Sequence, residues 1–465
     1  DRGKYLFNAQ LRYTLQDNPG GYEDRKSKLY SSNSNTPLSI YDHTKEQMHV
    51  PAIDLYYQTF LKNNQQLIFN IVGTYIHSNN TRIYQEKRNE QIETELYSDI
   101  SGKKYSLITE GIYEKKAGEG TITAGLKHIQ SYTDNQYRGS NNTDVRLHQA
   151  ESGVYAEYLG RIKNWEYRAN LTLSRFYYSQ KENRNEKYAF QPSLLATYSP
   201  INNLHLRYRI HFKNNTPSIA YLNGIEQGMD NLQVRRGNPA LNSYRSILQN
   251  FYIAYNFGIL GINALAGYTY EKNPIMESVY YENGIFVHTY ENQKSFKHLQ
   301  AEVSFKVKPW KDYISLSVTP GINRYLSEGK NYMHTYTLKE LRIDLDASYR
   351  NWLLSFVTIT PPNRYVYGEQ LMKGELMHTV MVGYKQPAWS IMAGIHNPFV
   401  KTYRSKNENW AALNPVKSDI HSDNMSNAIV VKLNFNLNFG RSYGKTSKST
   451  QNADNESGIL QGTKN

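Results

Sequence analysis

His205 and His211 lie six residues apart on a run that also carries Arg207, Arg209 and Lys213. Paired imidazoles could hold a metal ion or a haem, and a row of cations could line an anion path. An extended chain covers about 20 Å over that separation, at roughly 3.3 Å per residue. Both rings therefore cannot reach one ion, and solvated histidines on a wet wall are the reading that the span supports. The three cations have candidate partners in Glu302, Asp344 and Asp346, which also fall on polar faces. Pairing with such carboxylates is favoured over an anion-selective ring, because a ring needs several strands to agree in sign. Asp344 and Asp346 suggest an acid/base couple, but on a strand they are neighbours on one wet face. Gly440 and Gly444-Lys445-Thr446 imitate a phosphate loop, yet are one residue too close and lack a following helix. There is no His-Glu-x-x-His and no Gly-x-Ser-x-Gly elbow, and the chain has no cysteine. No catalytic, metal or cofactor site is expected, and no enzyme activity.

The element that positions these residues is a strand. Leu204, Leu206, Tyr208, Ile210 and Phe212 occupy the places between the basic ones, so one face is apolar and the other polar. A water-filled interior and a lipid exterior would require that division. The partner strand after it places Phe251, Ile253, Tyr255 and Phe257 on one face. Trp165, Tyr167, Ala169, Leu171 and Leu173 repeat the pattern against Glu166, Arg168, Asn170 and Thr172. The final strand is the cleanest, with Ile429, Val431, Leu433, Phe435, Leu437 and Phe439 on one face. Helical periodicity is hard to find.

Read this way, the chain has roughly 18 strands whose connections alternate short and long, as in an outer-membrane barrel. The expected fold is all-β: a transmembrane antiparallel β-barrel over residues 1–440, with a polar, disordered tail over 441–465. Long polar excursions are expected at Glu86–Glu90, Asn135–Asp144, Lys181–Lys187, Asn214–Ser243 and Phe399–Ser426. A local hairpin around Asn283-Gly284 is expected within the polar region that follows Asn273. Trp165, Trp310, Trp352 and Trp389 all fall at short turns, which would gather them as membrane-interface anchors on one rim. A propeller is disfavoured because no blade-length repeat occurs.

Composition agrees. Tyr is abundant at 41 residues against 15 Phe and 5 Trp, and its amphipathic ring suits interfaces. The net charge of +13 is spread along the chain without a Lys/Arg tract, so no nucleic-acid partner is expected. The chain opens on Asp1 without a leader, which suggests processing or a fragment of something longer.

Arg236-Gly237-Asn238-Pro239-Ala240-Leu241, followed by Tyr244 and Tyr252-Ile253-Ala254-Tyr255, resembles the Gly-Asn-Pro-x-Leu segment of TonB-dependent receptor barrels. Tyr208-Arg209-Ile210 with Pro217-Ser218-Ile219-Ala220-Tyr221-Leu222 resembles the strand and loop that precede it there. Leu433 to Gly440 resembles the closing strand. The resemblance implies a barrel of about 22 strands around an N-terminal plug. This chain shows no plug-like segment or TonB box and is about four strands short, so it reads as the C-terminal part of a larger receptor.

The implied function is TonB-energised uptake of a scarce bulky solute across the cell outer membrane. The alternatives are a passive porin-like channel, or a structural barrel docking surface lipoproteins. The implied partners are outer-membrane lipid and lipopolysaccharide, a TonB complex reached through a plug, and a surface lipoprotein. Lumen-facing candidates are His205, Arg207, Arg209 and Lys213; extracellular-loop candidates are Arg235, Arg236 and Asn238. Glu86–Glu90 and Arg235-Arg236 are expected to meet solvent or lipopolysaccharide rather than ligand.

Overall fold

Alternation along the chain produces strands almost everywhere. A computed structural model describes residues 4–31, 34–310, 313–361, 365–435 and 452–460. Long hairpins come first: β1 (Tyr5–Ser31), β2 (Ser34–Leu61), β3 (Gln65–Arg88) and β4 (Gln91–Ala117). They are followed by β5 (Gly120–Gly139), β6 (Thr143–Ile162), β7 (Trp165–Gln180), β8 (Asn183–Ile201) and β9 (Leu204–Asn215). A helical turn, α1 (Ile219–Leu222), then precedes the small strands β10 (Glu226–Gly228) and β11 (Gln233–Arg236). The wall resumes with β12 (Tyr244–Phe257) and β13 (Leu260–Lys272), leaves it for β14 (Ile275–Glu282) and β15 (Ile285–Asn292), and returns with β16 (Ser295–Val307).

Next come β17 (Ile314–Glu328), β18 (Met333–Tyr349) and β19 (Trp352–Ile359), then the short pair β20 (Tyr365–Tyr367) and β21 (Gln370–Gly374). The last elements are β22 (Met377–Lys385), β23 (Trp389–His396), β24 (Tyr403–Asn409), β25 (Val416–Ser422) and β26 (Ala428–Phe435).

Eighteen of these strands form one sheet. Each wall strand pairs antiparallel with the next wall strand, from β1–β2 through to β23–β26. Among the described residues no pairing joins β1 to β26. The barrel fold and its strand number thus agree with the sequence reading. Register also agrees: Leu204, Leu206 and Tyr208 face Tyr255, Ile253 and Phe251 across the β9–β12 ladder. Leu171 and Leu173 are 54% and 56% exposed, as the outer face of such a wall requires. Among the described residues no helix is long and apolar enough to cross a membrane; the crossing elements are strands.

The short turns sit where alternation stops. Asn63 and Asn64 both take positive φ (58° and 54°) in the turn between the paired Leu61 and Gln65. Asn283 and Gly284 do the same (51° and 87°) and close the expected local hairpin β14–β15.

Several expected loops are instead strands. Glu86 and Lys87 continue β3 almost to its tip at Asn89-Glu90. Asn135–Gly139 belongs to β5, and Asn183–Lys187 to β8. The physical reason is that these hairpins carry polar residues on both faces, which erases the alternation without ending the pairing. The expected end of the last strand, Asn436–Phe439, with Gly440, Gly444-Lys445-Thr446 and Asp1, lies outside the described residues.

The apolar core lies on the inner side of this wall. Ile100, Tyr137, Leu147, Phe176 and Tyr178 project inward and pack with Ile219 and Leu222 of α1, and with Ile459 and Leu460. A second cluster, including Met276, Phe296, Tyr325 and Leu371, joins the wall to the excursions after β13 and β19. Residues 452–460 fall in the expected disordered tail; in the structure they lie against the inner wall. Their polar composition hides the reason, because only Ile459 and Leu460 supply apolar burial, of about 1.5–3 kcal/mol each.

Candidate functional site

The β9 cations share one face of that strand. Arg207 stands opposite Tyr252 and Thr197, and Arg209 opposite Asn250 and Leu195. Lys213 stands opposite Ser246. His205 places Nδ1 2.8 Å from the Ser199 hydroxyl. Two of the three carboxylates proposed as partners are engaged elsewhere: Arg342 donates to Asp344 at 2.7 Å, and Ser355 to Asp346 at 2.8 Å. His205, Arg207, Arg209 and Lys213 therefore form one stripe, and the structure does not bring Asp344 or Asp346 to it.

Arg235, Arg236 and Asn238 do something more specific than meeting solvent. Arg236 grips Glu226 at 2.7 Å and Glu282 at 2.9 Å, and donates to the Tyr280 hydroxyl. It thereby clamps β10 to β14. Asn238 accepts from the Ala240 N–H at 3.0 Å, a turn that caps its own loop. It also donates to the Tyr290 carbonyl at 2.9 Å. Arg235 is 6% exposed and faces Glu277 at 3.9 Å.

Around Arg235, four excursions converge into a roof over one end of the barrel. β10, β11, β15 and β14 form one small sheet, and β20, β21, β24 and β25 another. His288 joins them: Nδ1 lies 3.0 Å from Glu277, and Nε2 2.9 Å from Gln233. Gln370 donates to Glu277 at 3.0 Å, and Asn414 to Gln233 at 2.7 Å. Sequence reading missed this cluster, since its members are scattered over some 180 positions with no common motif.

Its electrostatics give a pH signature. Burial would raise the Glu277 carboxyl, but the His288 hydrogen bond, the Arg235 charge and the Gln370 hydrogen bond hold it below the usual carboxylate range. Glu369 is held above that range, first by burial and then by the Glu277 charge. The sign follows for each group. As pH falls from neutral, Glu369 takes its proton early and relieves a penalty. Below the usual carboxylate range Glu277 must protonate, and the stability it contributes at higher pH is lost. Roof protection should hold or rise slightly down to mildly acidic pH and then collapse. Rate-corrected hydrogen exchange of residues 275–292 between pH 7 and pH 3 reads this; opening already near neutrality would contradict it.

The four tryptophans occupy the opposite, short-turn rim. Trp165 stacks on Tyr198 at 4.6 Å, and Trp352 meets Tyr384 edge-on at 5.1 Å. Trp389 lies 5.8 Å from the same Tyr384. Trp310 is 65% exposed and shares an outer groove with Tyr313, Tyr349 and Trp352. All four point outward from the wall near its turns.

A sequence model of the outer membrane protein β-barrel family matches residues 104–355. No curated protein matches the chain in sequence. Solved structures with the same fold include the copper transporter OprC, with a TM-score of 0.58 at 9% identity over 93% of this chain and 79% of that one. The ferripyoverdine receptor of the outer membrane of Pseudomonas aeruginosa gives 0.56 at 9% identity, over 86% and 65% of the two chains. The FrpB iron transporter from Neisseria meningitidis gives 0.51 at 9% identity, over 90% and 76%. At these identities the likeness is one of fold.

Proposed function

Since this chain belongs to the outer membrane protein β-barrel family, we propose that it is the barrel of an energised receptor for a scarce, bulky solute. It is an integral protein of the cell outer membrane. In such barrels the long connections face outward and the short turns face the periplasm. On that orientation the roof is extracellular, and Trp165, Trp310, Trp352 and Trp389 anchor the periplasmic interface.

The observation that carries the reading is the filled interior. A porin of this strand number leaves an aqueous channel. Here Ile219, Leu222 and Leu241, each 1% exposed, pack against the inner wall, and cross-linked loops cover the mouth. A covered mouth and an occupied wall suit capture followed by driven release better than free diffusion. His205, Arg207, Arg209 and Lys213 would then line the passage, and Arg235, Arg236 and Asn238 would keep the roof in shape. Energy would come from a TonB complex acting through a plug, and the solute would arrive past lipopolysaccharide or from a surface lipoprotein. Chemistry at the site plays no part in this scheme.

Energy dependence tests it. Cells producing the complete receptor should accumulate its solute only while the inner membrane is energised, and a protonophore should abolish uptake. The same barrel in planar bilayers should show little steady conductance. Uptake that survives the protonophore, together with a stable open conductance, would establish the porin reading instead.

A further inference from the structure

The segment 452–460 is held by an alternating set of contacts. Asn452 donates through Nδ2 to Asn70 at 2.8 Å and to Glu110 at 2.9 Å, and accepts from Lys127 at 2.7 Å. Its carbonyl accepts from Arg12 at 3.1 Å. Two residues on, Asp454 takes the Lys104 ammonium at 2.9 Å, in an ion pair where Lys104 is only 3% exposed. The same ammonium donates to the Glu456 carbonyl at 2.9 Å, and Ser218 donates to the Glu456 carboxylate. Asn135 donates to the Gly458 carbonyl at 3.0 Å, and the Leu460 N–H donates to the Tyr137 hydroxyl at 3.2 Å. Polar contacts fall on every second residue from Asn452 to Leu460, and at Gly458 the backbone takes a left-handed φ of 73°, past which Ile459 and Leu460 are both buried.

The groove complements this occupant along its length. Arg12, Lys104 and Lys127 meet the polar and acidic first half. The inner apolar cluster then receives Ile459 and Leu460, which are 8% and 3% exposed. At Gly102 a Cβ would come within 3.0 Å of Ile459 Cδ1, so the wall is bare where the aliphatic end arrives. The walls also offer more hydrogen-bonding capacity than the segment uses: Ser106 Oγ, Thr133 Oγ1 and Asn135 Oδ1 have no partner among the described residues. This is the anatomy of peptide recognition by pockets for alternate residues.

We propose that the inner groove formed by β3, β4, β5 and the Ser218–Leu222 turn is a binding site for a peptide acidic in its first half and ending in two aliphatic side chains, and that residues 452–460 are its resident occupant. The inference deepens the receptor reading by naming a ligand class for its lumen. Being tethered, the resident segment has a high effective concentration, so a free peptide competes poorly until the segment is displaced.

The absence of native cysteine makes the test direct. In the full chain in outer membranes, Ile459→Cys should react with a hydrophilic maleimide at least tenfold more slowly than Asn455→Cys, which sits on an exposed residue. Adding Lys104→Glu should bring the Ile459→Cys rate up toward the Asn455→Cys rate. Combining Lys104→Glu with Asp454→Lys should slow it again, which separates lost contact from a damaged barrel. A fluorescent nonapeptide with the sequence of residues 452–460 should bind saturably to the full chain carrying Asp454→Lys and only weakly to the parent. A peptide with both aliphatic residues changed to Glu should not bind. Equal labelling of the two cysteines, no charge-swap rescue, or no saturable peptide binding would each overturn the proposal. None of these readouts requires uptake, so failure of energised transport would leave them standing.

Discussion

Gly237→Ala is expected to detach the roof from the inner wall. A Cβ at this position would fall on the Asn223 carbonyl, 2.7 Å from its carbon and 3.1 Å from the Tyr221 oxygen. All three obstacles are backbone, so no side chain can swing away. The approach is close because the loop is stitched down on both sides of the glycine. Gly237 N–H donates to Ile225 at 3.1 Å, and Asn238 N–H to Tyr221 at 2.6 Å. Behind them Leu241 is 1% exposed in the inner cluster. We expect a cost near the upper end for overpacking, about 3 kcal/mol, or roughly a hundredfold rise in the open population. Limited proteolysis across residues 216–241 on the membrane-embedded protein reads that population. Gly118→Ala is the control: nothing lies within 4 Å of the added Cβ there, although its φ, unlike that of Gly237, is left-handed, at 62°. Equal cleavage in the two variants would show that the contact at Gly237 carries no such weight.

The second large effect is expected at Arg82. Its guanidinium meets Asp42 through two bonds, of 2.8 and 3.0 Å, and also donates to the carbonyls of Gly228 and Met229 at 3.0 and 2.9 Å. The side chain is 5% exposed, so its charge is matched inside the protein rather than by water. Arg82→Met strips Asp42 and the two carbonyls of this donor while they remain partly or wholly shielded. Breaking one partner of such a pair costs about 3–5 kcal/mol, whereas replacing both by apolar groups is often near neutral. Arg82→Met should therefore expose residues 226–234 to fast amide exchange, and Arg82→Met/Asp42→Leu should restore much of the protection. A double variant no better than the single one would mean that the burial of Asp42 is not what makes the loss expensive.

The barrel was legible because lipid and water on opposite faces impose a period of two, and strands such as β9 and β26 display it without interruption. The positions of Trp165, Trp310, Trp352 and Trp389 were legible too, since each stands at or beside a short turn. Two things were hidden. Val72 and Ile76 are fully buried on the inner face while Phe69 and Ile71 are exposed on the outer one, so that stretch of β3 is apolar on both sides. Alternation cannot tell a lipid-facing residue from one packed against an inner core when both are aliphatic. The roof cluster was invisible for a different reason. Gln233, Glu277, His288, Gln370 and Asn414 meet only after four separate excursions fold toward each other. The Gly-Asn-Pro motif did mark the right loop; its role in positioning that loop comes from the close approach at Gly237.

The wall is of very unequal height. β1 to β4 have 24 to 28 residues, whereas β19, β22, β23 and β26 have 8 or 9. At about 3.3 Å per residue and a tilt near 40°, the tall side rises roughly 60 Å, against an apolar band of about 25 Å. Since all strands start from the same short-turn rim, the excess stands on one flank only. On the proposed orientation this half-palisade would be the first surface met by anything as large as a phage tail or an antibody, and it would screen the roof from that direction.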